Sequence, residues 1–143
     1  MNDASASMTL AIIKPDAFGS GKAGKVLDHL LSAGFEVVAT RVVHLRPDDA
    51  GHFYAVHRER PFYNDLVAFM TSEPCMPLAL RRVDAVDHLR EVIGATDPAE
   101  AEEGTVRRLY AENKERNAIH ASDSPVNAAA ELAFFFPGLD LID

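Results

Sequence analysis

The chain has 143 residues, 48% apolar and 25% charged, the proportions of one globular domain that can bury a core without staples. Its formal net charge of −8 argues against a general nucleic-acid binder, whose footprint is a basic stripe; a polyphosphate ligand would need its own local cluster of cations. One cysteine, Cys75, cannot form an internal disulfide, and its apolar surroundings predict a buried thiol. Met1–Ser7 has neither the basic patch nor the apolar core of a leader, and no apolar run approaches the ~20 residues that span a bilayer. The expectation is a cytoplasmic protein without membrane contact, one domain over 1–143 with a flexible stretch at 1–7.

Thr9–Ile13 is apolar and β-branched, the composition of a buried strand. Lys22–Ala33 places Val26, Leu27, Leu30 and Leu31 on one helical face, and Gly34 suits the left-handed position just beyond a helix. Phe35–Val43 reads as a long second strand, Asp48–His57 as a helix after Pro47, and Asn64–Met70 as a short helix after the Pro61-Phe62 break. Cys75–Leu80 is a third strand in which Pro77 suits an edge or a bulge. Asp84 is placed to cap a helix to Ile93, with Val86, Leu89 and Val92 or Ile93 turned inward.

Gly94–Gly104 is a polar loop, Thr105–Ala111 a short helix, and the run to Ile119 irregular. Ser124-Pro125 supplies an N-cap and a proline at the first helical position for an Ala-rich helix through Phe134. This order predicts an α+β sandwich of the ferredoxin-like kind, an antiparallel sheet with helices packed on one face.

Two segments invite a phosphate. Gly19–Lys25 satisfies G-x-x-x-x-G-K after an apolar strand, but a P-loop needs a hydroxyl next to ligate the nucleotide's Mg²⁺, and the next residue is Val26. Pro15, Asp16 and Ala17 also lengthen the connection, which predicts a flexible turn into a helix. The second segment is Arg116–Pro125. A neutral imidazole is a good nucleophile near pH 7, and His120 stands among hydroxyls, an amide and carboxylates, just before a helix N-terminus whose N–H groups favour anions. Glu131, on that helix, is placed to turn back and hold the ring in one tautomer. A lone histidine is more often structural than catalytic. The remaining histidines give no metal cage: His52 and His57 are five apart rather than the four that share a helical face.

With these blocks in hand the sequence resembles the nucleoside diphosphate kinases from Met8 to Phe136. The resemblance rests on Thr9–Asp16, His57–Phe62, Phe69–Ser72, Ile93–Pro98 and the specific signature Asn117–Ser124, in that order. It implies ATP + NDP ⇌ ADP + NTP in two half-reactions, with nucleoside di- and triphosphates as partners and Mg²⁺ carried on their phosphates rather than by protein ligands. It implies that His120 accepts the phosphoryl group through Nδ1. Lys14 would stabilise the transferring phosphoryl group and reach the ribose 3′-hydroxyl beside Asn117. Arg90, Thr96 and Arg107 would hold phosphates, Tyr54 would line the site, Phe62 would stack on the base, and Ser122 and Glu131 would orient His120. It also implies a homo-oligomer, of a size no segment selects.

Two positions depart from the family pattern. Ala121 stands where the signature has glycine, which makes a positive φ costly there. Lys114 stands where an apolar residue usually covers the base opposite Phe62, although its methylene stem can still do so. Two rival readings stay open: a P-loop phosphotransferase using Lys25, and a ferredoxin-like nucleotide- or RNA-binding regulatory module without catalysis.

Overall fold

A computed structural model of the chain describes residues 7–138. The flexible lead-in expected at 1–7 lies outside that range except for Ser7, whose C=O accepts the Arg82 N–H at 2.9 Å. Four strands, β1 (Met8–Ile13), β2 (Glu36–Thr40), β3 (Met76–Arg81) and β4 (Ile119–Ala121), form one sheet in the order β2-β3-β1-β4. Every neighbouring pair is antiparallel. This is the α+β, ferredoxin-like architecture expected from the element order.

Helices cover both faces of the sheet, not one. Strand β1 explains why, since from Thr9 to Ile13 every residue is buried, the mark of a strand roofed on both sides. Its alternate residues feed two cores. Ala11 and Ile13 join Leu78, Leu80, Ile119 and Ala121. They pack under helices α2 (Ala23–Ser32), α5 (Ala85–Ile93) and α6 (Val106–Tyr110), which supply Val26, Leu30, Leu89, Ile93 and Val106. Leu10, Ile12 and Ala79 face the other way. They meet α3 (Pro47–Phe53), α4 (Tyr63–Met70) and α7 (Pro125–Phe135) through Ala50, Met70, Leu132 and Phe135. Cys75 sits in this second core, and burial pushes its thiol up to about 11, so it is held as an unreactive apolar side chain.

Local rules held where the forces are local. Gly34, at φ 95, follows α2 as expected, and Ser124 caps α7 by accepting the Asn127 N–H at 3.1 Å with Pro125 at the first helical position. They failed elsewhere. The second strand stops at Thr40 rather than Val43: past a register shift between Val37 and Ala39 it keeps one register along β3 as far as a lone bridge of Val43 with Cys75, but the regular pairing is interrupted opposite Pro77.

Pro77 lies in the interior strand β3. It stands opposite Arg41, whose N–H reaches the Pro77 C=O at 3.3 Å, but with no N–H of its own it cannot make the second bond of that pair, and the regular pairing with β2 stops there. Asp84 precedes α5 but at φ 58, with no side-chain cap. The connection after β1 is a helix of its own, α1 (Pro15–Gly19), started by Pro15 and followed by Gly21 at φ 79.

Helix α1 also disposes of the glycine-rich candidate. Gly19 closes α1, whereas Gly24 and Lys25 lie inside α2 with Lys25 exposed, so no loop there cradles a phosphate.

Candidate active site

Strand register places the key histidine. His120 in β4 is paired with Ile12 in β1, and directly opposed residues project to the same face. His120 therefore leaves the sheet on the side of α3 and α7, while its neighbours Ile119 and Ala121 go to the opposite core. On that side its ring meets Phe53 edge-on at 5.7 Å between centroids and Tyr54 at 6.5 Å. Tyr54 comes inward because the helix expected at 48–57 breaks there, α3 ending at Phe53 and a 3-10 turn covering Ala55–His57.

Glu131, from α7, takes two hydrogen bonds on one oxygen. His120 Nε2 lies 2.8 Å from Oε1, and the fully buried Ser122 donates its hydroxyl to the same atom at 2.7 Å. A carboxylate only accepts, so the network assigns the ring proton to Nε2 and leaves a lone pair on Nδ1. Ser122 and Glu131, the pair expected to orient His120, thus meet at Oε1 beside its ring.

The cations come from elsewhere in the chain. Lys14 follows β1, and its Nζ donates to Asn117 Oδ1 at 2.8 Å; Asn117 in turn donates Nδ2 to the Thr96 C=O at 3.3 Å. Burial, and then the charge of Arg107, lowers the Lys14 pKa to about 8, with the Asp16 carboxylate pulling the other way. Arg107 is buried, donating Nη1 to the Gly94 C=O at 3.1 Å and Nη2 to the Ile119 C=O at 2.7 Å, while Nε finds no partner among the described residues. Burial and the neighbouring charge of Arg90 lower its pKa to about 10. Each cation is thus uncomfortable without an anion.

Lys14, Tyr54, Phe62, Thr96, Arg107, Lys114, Asn117 and His120 all line one cleft of about 820 Å³. Arg90 does not line it. It faces an adjoining hollow of about 680 Å³ that shares Thr96 and Arg107 with the cleft. Ser122 and Glu131 stand behind His120. The expected residues are therefore brought together, with Arg90 at the margin.

Residues that the sequence did not single out are Phe53 beside His120, Asp16 beneath Lys14, and His57, which packs on Phe62 at 5.4 Å. Asp16 was within the first family block, so position alone could have flagged it.

The concern over Ala121 moves to another residue. Ala121 is an ordinary strand residue, and the positive φ belongs to Ala118, at 74°. Lys114 and Phe62 both stand in the open part of the cleft. Among the described residues no group of three His, Cys, Asp or Glu side chains could hold a metal ion, and no helix is long and apolar enough to cross a membrane.

The nucleoside diphosphate kinase family model matches residues 7–141. A nucleoside diphosphate kinase of Chlorobium chlorochromatii is 58% identical over 128 residues, covering 90% of this chain and 91% of the relative. One of Dechloromonas aromatica is 50% identical, covering 92% and 93%. Among solved structures, the Aquifex aeolicus nucleoside diphosphate kinase superposes with a TM-score of 0.93 at 44% identity, covering 96% of this chain and 99% of its own. A halophilic nucleoside diphosphate kinase from Halobacterium salinarum, in complex with CDP, gives 0.90 at 31% identity over 96% and 92%. Sequence, fold and cleft agree, and the chain belongs to the nucleoside diphosphate kinase family, enzymes that pass the terminal phosphoryl group of a nucleoside triphosphate to a diphosphate.

Proposed function

We propose that the nucleoside diphosphate kinase activity of this chain runs through a phosphohistidine at His120, in two half-reactions at one site. The observation that carries this reading is the Ser122–Glu131–His120 network, which fixes the proton on Nε2 and turns the Nδ1 lone pair towards a cation-lined cleft. In the first half-reaction Nδ1 attacks the γ-phosphorus, an N–P bond forms, and the bond to the β,γ-bridging oxygen breaks, so the diphosphate leaves with that oxygen. In the second, a terminal oxygen of an incoming diphosphate attacks the same phosphorus and the electron pair returns to Nδ1. Glu131 holds the ring throughout.

Phosphoryl transfer depends chiefly on positioning and charge stabilisation. Lys14, Arg107 and Thr96 are in place for the phosphates, with Arg90 at the edge of the cleft. Lys14 and Asn117, already joined, are in place for the ribose 3′-hydroxyl. Tyr54 walls the site, Phe62 offers a face for the base, and the Lys114 stem covers the other side. The donor set is cationic and neutral, which suits a nucleotide bearing Mg²⁺ on its own phosphates; Mg²⁺ bound there would neutralise phosphate charge. Cytidine nucleotides are among the substrates, as the CDP complex of the halophilic relative supports, and the open aromatic face of Phe62 suits other bases as well. The protein works in the cytoplasm as a homo-oligomer, a reading that the family resemblance supports.

The test is intact-mass spectrometry after ATP·Mg²⁺, beside steady-state kinetics, on parent and His120→Ala. The parent should gain one phosphoryl mass and give parallel double-reciprocal lines. The folded variant should show neither gain nor turnover, because the covalent route is removed. Intersecting lines for the parent, or normal turnover in the variant, would sink the mechanism.

A further inference from the structure

Three backbone contacts converge on Ala118, two residues before His120. Its N–H donates to Asp16 Oδ2 at 3.0 Å, and its C=O accepts the Lys14 N–H at 2.9 Å. Across it, the Ile119 N–H closes onto the Asn117 C=O at 2.9 Å. With Ala118 at φ 74, this is a three-residue γ-turn of the positive-φ kind, a strained arrangement that only the surroundings can hold. Ala118 is fully buried, so no solvent contact compensates the strain.

Asp16 is no ordinary helix-start acid. It is 8% exposed, and its Oδ1 has no partner among the described residues. Burial pushes its pKa up, and the opposing contribution that comes first is the hydrogen bond from Ala118. A carboxylate kept in such a place, with one oxygen unsatisfied, costs stability unless the other oxygen has a task. That task is visible: Oδ2 restrains the one strained turn that joins Asn117 to β4. Asn117 is the residue that bridges Lys14 to Thr96, and β4 carries His120.

We propose that Asp16 is a positioning residue for phosphoryl transfer, its carboxylate clamping the strained turn at Ala118 so that Asn117 and His120 stay in register with Lys14. The clamp acts through the turn and touches no substrate, and its kinetic consequence rests on the reading of His120 as the phosphoryl acceptor. Its structural half stands by itself, as a protected Ala118 amide.

Four proteins test it: the parent, Asp16→Ala, Asp16→Asn, whose amide oxygen can still accept from Ala118, and the pair Asp16→Ala with Ala118→Gly, in which glycine adopts positive φ without strain. Two readouts are taken: hydrogen exchange of the Ala118 amide, which needs no chemistry at His120, and the single-turnover rate of phosphorylation beside nucleotide KM. The Asp16→Ala protein should lose Ala118 protection and slow phosphorylation about tenfold or more, with KM within about threefold, because misplacement by a fraction of an ångström falls on the rate. Asp16→Asn should stay within about threefold in both readouts, and Ala118→Gly should return part of the lost rate.

An Asp16→Ala protein that exchanges and phosphorylates like the parent overturns the clamp. So does a folded Asp16→Asn protein as slow as Asp16→Ala, since charge rather than the acceptor oxygen would then matter. If Asp16→Ala fails to fold, the Asp16→Asn result decides alone. A parent that gains no phosphoryl group refutes the His120 reading, and the exchange data still judge the clamp.

Discussion

At the end of the cleft holding His120, polar side chains are already committed before any ligand arrives, whereas at the end holding Phe62 and Lys114 they stand in solvent. Asn117 is 4% exposed and Arg107 9%, and both are tied by hydrogen bonds to loops or strands; Phe62 is 46% exposed. The contrast assigns different work to the two ends. A pre-set constellation loses little freedom when charge develops on a phosphoryl group, so it acts on the rate. A half-open aromatic face gains from covering any flat base and has few fixed donors with which to tell one base from another, so it acts on binding.

The largest expected effect at the rigid end comes from Glu131→Ala, which frees the His120 ring and leaves the Ser122 hydroxyl without its acceptor. Turnover should fall by about a hundredfold while nucleotide KM stays within a few-fold. Steady-state kinetics on the folded variant checks this, and a fall in turnover of under about threefold would mean that packing against Phe53 and Tyr54 already holds the ring.

Next comes pH. Lys14 is charged below its lowered pKa of about 8 and neutral above it, and the charged form is the one that meets phosphate. In the free enzyme kcat/KM should therefore fall as pH rises past that value, by about tenfold per pH unit. Lys14→Arg, which stays charged, should lower activity but flatten that limb. A limb unchanged in Lys14→Arg would belong to another group.

Smaller effects belong to the open end. Phe62→Ala should raise nucleotide KM about tenfold with kcat nearly unchanged, since stacking a base on an aromatic ring is worth ~1–3 kcal/mol. Lys114→Val should change KM by less than that, because covering the second face is worth about 1 kcal/mol. A Lys114→Val loss larger than that of Phe62→Ala would reverse the assignment of the stacking face. Outside both ends, Lys25→Ala should leave turnover within a few-fold of the parent, as its place on the exposed face of α2 requires; a loss of a hundredfold would revive the glycine-rich segment as a phosphate site.

Much of the site was legible in the amino-acid sequence because its markers lie close together along the chain. His120, Ser122 and the Ser124-Pro125 helix start lie within six residues, and the cap works as such a pattern should. The cations were legible only through the family resemblance, since nothing local in Lys14 or Arg107 distinguishes either from a solvated surface charge. Arg90 came the same way, and it lines the adjoining hollow that shares Thr96 and Arg107 with the cleft.

Local sequence was enough to set the order of most helices and strands, the apolar faces of α2 and α5, and the capped N-terminus that opens the helix after His120. Those features depend on bonds and side-chain periods spanning a few residues. Long-range pairing settled the rest. The pairing of Ile12 with His120 chose which face of the sheet carries the site, and the pairing of Arg41 with Pro77, one bond short, ended the regular part of β2. The meeting of the β1–α1 junction with the start of β4 placed Asp16 against a strained Ala118. Residues joined across about a hundred positions of chain leave no local period or cap to read, because strand register alone brings them together.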